Sequence, residues 1–116
     1  MPNVEGVLEL YEEFDPDQKD KKFLADRIER VLEDPAYHLF IEEIGAVVVG
    51  TAMGVVIENL VGDGRPEMIV SNVVVHPSVR KRGIARDIFD QIEDWAIKMN
   101  CRKISVVSHH KFKVDK

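Results

Sequence analysis

The stretch that most constrains this chain is Val73-Val-Val-His-Pro-Ser-Val-Arg80-Lys-Arg-Gly83-Ile-Ala85-Arg86. Before it, Met68 to Val75 is an almost unbroken run of apolar, branched residues, which predicts a strand buried on both faces at the centre of a sheet. His76-Pro77 closes that strand. From about Arg82 to Met99 the apolar residues return at helical spacing, with Ile84, Ala85, Ile88, Phe89, Ile92, Trp95, Ala96 and Met99 inward. Asp87, Asp90, Gln91, Glu93, Asp94 and Lys98 fall outward. After Asn100-Cys101-Arg102, Lys103 to Ser108 predicts another strand. A strand, a helix and a strand in that order predict a right-handed crossover and a parallel pair.

The rest of the chain supplies elements for the same sheet. Val4, Val7, Leu8, Tyr11 and Phe14 recur in steps of three and four, predicting a first helix that Asp15-Pro16-Asp17 ends. Phe23, Leu24, Ile28, Val31 and Leu32 predict a second, stopped at Asp34-Pro35 because the residue before proline avoids helical angles. Tyr37 to Ile44 and Ala46 to Ile57 read as a hairpin turning at Gly45. Asn59 to Pro66 is a loop. The expected architecture is one α/β (α+β) domain over residues 1–116, a mixed sheet with helices on both faces.

Composition narrows the function. The chain has 116 residues and a formal net charge of −5, against the basic balance of a general nucleic-acid binder. No apolar run approaches the roughly 18–20 residues of a membrane span, and the first residues do not resemble a secretory signal. One cysteine, Cys101, excludes an internal disulfide framework, so a reducing cytoplasmic setting is expected. His109-His110 has no zinc-like spacing to other ligands, and no metal is expected.

Against that acidic background, Arg80, Lys81, Arg82 and Arg86 form a local cationic cluster at a helix start. Unpaired N–H groups and the positive end of the helix dipole make such a place an anion site. Gly83 lets backbone approach a bulky anion, and Ala85 keeps the next contact close. The arginines add forked donors suited to phosphate, and a pyrophosphate is the natural guest. A solvated basic helix start, with Gly83 a turn residue, is the plainer reading of the same residues.

Arg80-x-x-Gly83-x-Ala85, following a strand that ends Val73-Val74-Val75-His76-Pro77, resembles the Arg/Gln-x-x-Gly-x-Gly/Ala signature of the GNAT acetyltransferases. Asn59-Leu60 through Gly64-Arg65-Pro66, and Asn100-Cys101-Arg102-Lys103-Ile104, are similar to the glucosamine-phosphate N-acetyltransferase-like subgroup. The resemblance runs from Val4 to Ser108. It implies acetyl-CoA as cosubstrate and a small-molecule primary amine or an amino terminus as acceptor, with direct attack on the thioester. It implies that the backbone of Val73 and Val75 pairs with the pantetheine arm, where two parallel strands splay beside a bulge. An N–H near Val73 or Val74 would hold the oxyanion. The N–H groups of Lys81, Arg82, Gly83, Ile84 and Ala85 would hold the pyrophosphate, aided by Arg80 and Arg86.

The chain departs from the family pattern in three places. It begins almost at the first helix. Ser71 stands where many members carry a glutamate that serves as base. Glu67 is the nearest carboxylate in sequence and the expected base, with Glu42, Glu43 and His38 as other candidates. The family's closing helix, its tyrosine and its last strands have no counterpart before Lys116, so the chain reads as truncated. An open sheet edge would then permit a homodimer. A weak or inactive acyl-CoA-binding module and an interaction domain that keeps only the fold are the alternatives.

Overall fold

The computed structural model describes residues 3–14, 20–79 and 82–107. In chain order these form α1 (Val4–Phe14), α2 (Lys21–Glu33), β1 (Tyr37–Ile44), β2 (Val47–Ile57), β3 (Glu67–Val75), a 3-10 turn (Pro77–Val79), α3 (Ile84–Lys98) and β4 (Lys103–Val106). The sheet order is β1-β2-β3-β4. The first three strands are antiparallel, and β4 runs parallel to β3 after the α3 crossover. No helix among the described residues is long and apolar enough to cross a membrane.

Two cores sit on opposite faces of the sheet. On one, Ile84, Ile88, Ile92 and Ala96 of α3 pack on Phe40, Ala52, Met68 and Val70. These four helix positions are spaced by four, so they form one stripe. Gly50 lets this helix approach closely, because a Cβ there would lie 2.6 Å from the Ile88 Cδ1. On the other face, Val7, Leu8 and Leu10 of α1 and Ile28 of α2 enclose Val48, with Leu39, Ile41 and Val74 packed alongside.

The helix faces are narrower or differently placed than the periodicity predicts. On α3, Ala85 and Met99 are exposed, because the stripe turns by four-residue steps and passes them by. On α2 only Ile28 is fully buried, while Phe23 and Leu32 are 53% and 41% exposed. This helix lies over the end of the α1 layer, and Phe23 instead carries the Arg27 guanidinium 4.3 Å above its ring. Leu10 is buried although it stands off the predicted α1 stripe. The second helix is started by Asp20, whose carboxylate accepts from the N–H groups of Lys22 and Phe23. It ends at Asp34, in extended backbone before Pro35.

The expectation that β3 is buried throughout is corrected: Met68 and Val70 are fully buried, but Asn72 is exposed. Asn72 has φ 56°, and the β2–β3 register slips by one residue across it. The slip is a bulge, and it reverses the phase of the strand. Before it, Met68 and Val70 face α3; after it, Val73 and Val75 do, while Val74 turns to the α1 side.

Candidate active site at the β3–α3 connection

The bulge lies just beyond the described pairing of β3 with β4. Their registered pairs run from Glu67–Lys103 to Val70–Val106, and the Val107 N–H donates to the Val70 carbonyl at 2.8 Å. The His76 N–H donates to the Val49 carbonyl at 2.7 Å, so His76 faces β2. Backbone groups alternate along a strand, so Val74 faces β2 too, opposite its partner Thr51. The backbone of Val73 points the other way, to the β4 side of β3.

The chain leaves β3 through a short, well-braced turn. The Ser78 N–H donates to His76 Nδ1 at 3.1 Å, and the Ser78 hydroxyl lies 2.8 Å from the same nitrogen. The His76 ring meets the edge of Phe14. Val79 is buried in the α3 core and anchors the turn, and the Arg82 N–H donates to its carbonyl. Gly83 then caps α3 in the left-handed region, at φ 81° and ψ 14°. Only glycine holds that conformation without strain. Nothing lies within 4 Å of where a Cβ would stand, so Gly83 presents open backbone.

The first N–H groups of α3, on Ile84, Ala85 and Arg86, have no acceptor within the helix; the next, on Asp87, bonds the Gly83 carbonyl. Ile84 is buried and fixes the helix start, while Arg82, Ala85 and Arg86 are exposed around it. Arg80 and Lys81 lie outside the described residues, as do Ser108, His109 and His110. Only the seven residues from His76 to Arg82 separate the end of β3 from the Gly83 cap of this helix.

A cavity of about 440 Å³ opens on the α1–α2 face of the sheet and reaches Asn72. Tyr11, Leu24, Ile28, Val31, Tyr37, Leu39 and Met53 give it an apolar, aromatic lining, and Arg27, Arg30 and Asp34 give it charge. Its size suits a small organic ligand. Periodicity placed Tyr11 on the inner face of α1, but no sequence signal revealed that its hydroxyl donates to the Asn72 carbonyl at 3.0 Å.

The expected bases are not brought to the bulge. Glu67 begins β3, about 16 Å from Asn72 at the rise of an extended strand, and its carboxylate lies 3.6 Å from Lys103 Nζ. His38, Glu42 and Glu43 are on β1, two strands away from the bulge. His38 stacks on Trp95 with ring centroids 4.8 Å apart, and burial lowers its pKa from the ordinary 6.5. Glu42 accepts from Gln91 Nε2 at 2.8 Å, and Glu43 from Asn3 Nδ2 at 3.2 Å. Burial also raises the pKa of the Cys101 thiol, which keeps it protonated rather than nucleophilic.

The two stretches flanking the parallel pair meet in space. Arg65 Nε donates to the Asn100 carbonyl at 3.3 Å, and its Nη2 to the Cys101 carbonyl at 3.1 Å. The Arg102 N–H donates to the Pro66 carbonyl at 2.8 Å. The loop between β2 and β3 thus holds the end of α3 and the entry to β4.

This arrangement has known counterparts. A structure of AAC(6')-Iy in complex with the bisubstrate analogue CoA-S-monomethyl-acetylneamine superimposes with a TM-score of 0.76 and 25% identity, over 90% of this chain and 72% of that one. A protein of Agrobacterium tumefaciens, classed provisionally as an acetyltransferase, gives a TM-score of 0.81 and 25% identity, over 94% of this chain and 78% of the other. A GNAT family acetyltransferase of Staphylococcus aureus, at 15% identity, shares the fold over 100% of this chain and 91% of its own, with a TM-score of 0.80. No curated protein matches the chain by sequence. The model of the acetyltransferase (GNAT) family matches residues 4–112, nearly the whole chain, and the chain belongs to that family.

Proposed function

We propose that the chain transfers an acetyl group from acetyl-CoA to a primary amine by direct attack. The observation that supports this reading is the bulge at Asn72, which reverses the phase of β3 and turns the Val73 backbone to its β4 side; the splay of the two strands there is what the family resemblance implies. The pantetheine arm would lie there as an added strand along Val73 and Val75. The Val73 N–H, rather than that of Val74, would hold the oxyanion, because the Val74 N–H faces β2. The pyrophosphate would sit on the N–H groups of Gly83, Ile84 and Ala85, with Arg82 and Arg86 beside it and Arg80 and Lys81 supplying further charge. The acceptor would approach from the cavity that reaches Asn72.

The neutral amine attacks the thioester carbonyl, the carbon–sulfur bond breaks, the CoA thiolate leaves, and the remaining extra proton on nitrogen passes through water to that thiolate, giving the amide and the CoA thiol. The chain contributes alignment of the two reactants and stabilisation of the oxyanion. Glu67 is assigned no proton transfer on its distance; the ammonium proton is lost before attack, to water or to the solvent side of the cavity. A reducing, cytoplasmic setting is part of this proposal, and the single Cys101 suits it. The edge of β4, with Val106 51% exposed, is where a second copy of the chain would pair.

Calorimetric titration with acetyl-CoA tests the reading. Saturable binding, lost in Gly83→Asp and followed by thiol release when amines are added, supports it. Absence of binding by the folded chain overturns it in favour of a domain that keeps only the fold.

A further inference from the structure

The cavity beside Asn72 carries a charge balance opposite to that of the chain. Overall the sequence has a net charge of −5, yet the titrating groups in the cavity lining are two guanidinium groups, Arg27 and Arg30, one carboxylate, Asp34, and two tyrosines. The carboxylate is already engaged, since Asp34 Oδ1 accepts the Ala36 N–H at 2.9 Å. Neither arginine has an ion-pair partner among the described residues. Arg27 lies over Phe23, its Cζ 4.3 Å from the ring centroid, a contact that leaves guanidinium N–H donors for a planar or tetrahedral anion. The dipole of α2 explains one cation in its last turn, Arg30. It does not explain Arg27 one turn earlier on the same cavity-lining side. Between these cations and Asn72 the wall is apolar, formed by Leu24, Ile28, Val31 and Leu39.

We propose that the acceptor taken by this cavity is a small primary amine carrying an anionic group, a carboxylate or a phosphate, at the end away from its nitrogen. Arg27 and Arg30 hold the anion at the α2 side of the cavity. The apolar wall takes the spacer, and the nitrogen is presented at the bulge. This rests on the acetyl-transfer reading of the site, and adds that the two arginines determine which amines enter. An amine with a second positive charge at its far end would be turned away.

Two measurements test it. In the first, kcat/KM at saturating acetyl-CoA is compared for amines of matched length that end in a carboxylate, a phosphate, a hydroxyl or a second amine. Anionic ends are expected to be favoured by about tenfold or more over neutral ones, the scale of a charge-assisted contact. In Arg27→Gln/Arg30→Gln that ratio falls toward one, and the order of carboxylate against phosphate identifies the anion. In the second, inorganic phosphate is added to 15N-labelled protein kept saturated with CoA, so that the α3 start is filled. The Arg27 and Arg30 Nε–H signals are expected to shift.

Equal use of neutral and anionic amines, or a preference that survives the double substitution, overturns the proposal and leaves acetyl transfer standing. Unmoved arginine signals also overturn it. If acetyl-CoA does not bind, or no amine is acetylated, the acetyl-transfer reading falls first and takes this proposal with it.

Discussion

The Tyr11 hydroxyl, on the first helix, donates to the Asn72 carbonyl at 3.0 Å, sixty-one residues away in the chain and at the bulge of β3. A left-handed residue inside a strand is costly for anything but glycine, and asparagine is among the least strained alternatives. The bond from Tyr11 ties that residue to the helical layer. It thereby fixes the point at which the strand changes phase and the Val73 backbone turns outward. Removing the hydroxyl in Tyr11→Phe is expected to cost about 1 kcal/mol of stability, the usual net worth of one such hydrogen bond. Under the acetyl-transfer reading it lowers kcat by several-fold while acetyl-CoA affinity changes little. Urea unfolding and steady-state kinetics measure the two effects. An unchanged kcat would show that the bulge holds its shape without Tyr11.

Gly83 combines two demands that one substitution would confuse. Its φ of 81° needs a residue that tolerates the left-handed region, and its open backbone suits an anion. Asparagine tolerates that region better than other side chains. Gly83→Asn is therefore expected to fold nearly as well as the parent while its added side chain crowds the phosphate position. Gly83→Asp adds a negative charge of the wrong sign. Acetyl-CoA affinity should fall in the order glycine, asparagine, aspartate, with a loss of about tenfold or more at aspartate, the scale of a charge-assisted contact. Calorimetry on both variants, with thermal unfolding as the check on folding, separates conformational cost from lost binding. Equal affinity in all three would remove the pyrophosphate from this loop.

Much of this fold was legible because its signals are local. The α3 stripe, the stop at Pro35, the hairpin and the crossover come from side-chain spacing and from proline and glycine chemistry within a few residues. The phase shift at Asn72 is different. In the sequence, Ser71-Asn72 is only a polar interruption of an apolar run, and which residue takes positive φ is decided by the register with β2 and by Tyr11. The resemblance implied a bulge in this strand; the residues alone did not locate it. Phe23 and Leu32 misled for a related reason, since apolar spacing cannot tell how far a helix overhangs its sheet. Glu67 is singled out by its nearness in sequence to Ser71, and that nearness becomes many ångströms once the strand is extended. Nothing in the spacing of Arg27 and Arg30 signals that α2 walls a cavity.

Arg65 joins segments that sequence reading treated as separate. Its guanidinium bonds the carbonyls of Asn100 and Cys101, just beyond the C-terminal end of α3, where a positive charge is also favoured by the helix dipole. Arg65→Ala should destabilise the chain by about 1 kcal/mol, the charge-assisted gain being reduced by solvent around a half-exposed side chain. It should also raise hydrogen exchange in Cys101 to Ser105 more than in β1. Arg65→Lys keeps the charge but loses the fork, and should recover less than half of the stability. Exchange that rises uniformly would show that the contact is not a local clamp.

His38 makes the stability of the sheet's β1 edge depend on pH. Its ring stacks on Trp95 and lies 4.6 Å from the Phe40 ring, and burial among these neighbours lowers its pKa from 6.5. The folded chain therefore holds the imidazole neutral at pH values where the unfolded chain already binds the proton. Stability from this group is complete above about pH 6.5 and is lost as the pH falls through the lower folded value, because protons then favour unfolding. His38→Phe keeps a ring against Trp95 and removes the titration. The parent should lose more stability than the variant between pH 7.5 and pH 5.5, measured by urea unfolding. Parallel losses in the two proteins would show that His38 titrates alike folded and unfolded, and that the stack with Trp95 does not discriminate against its charged form.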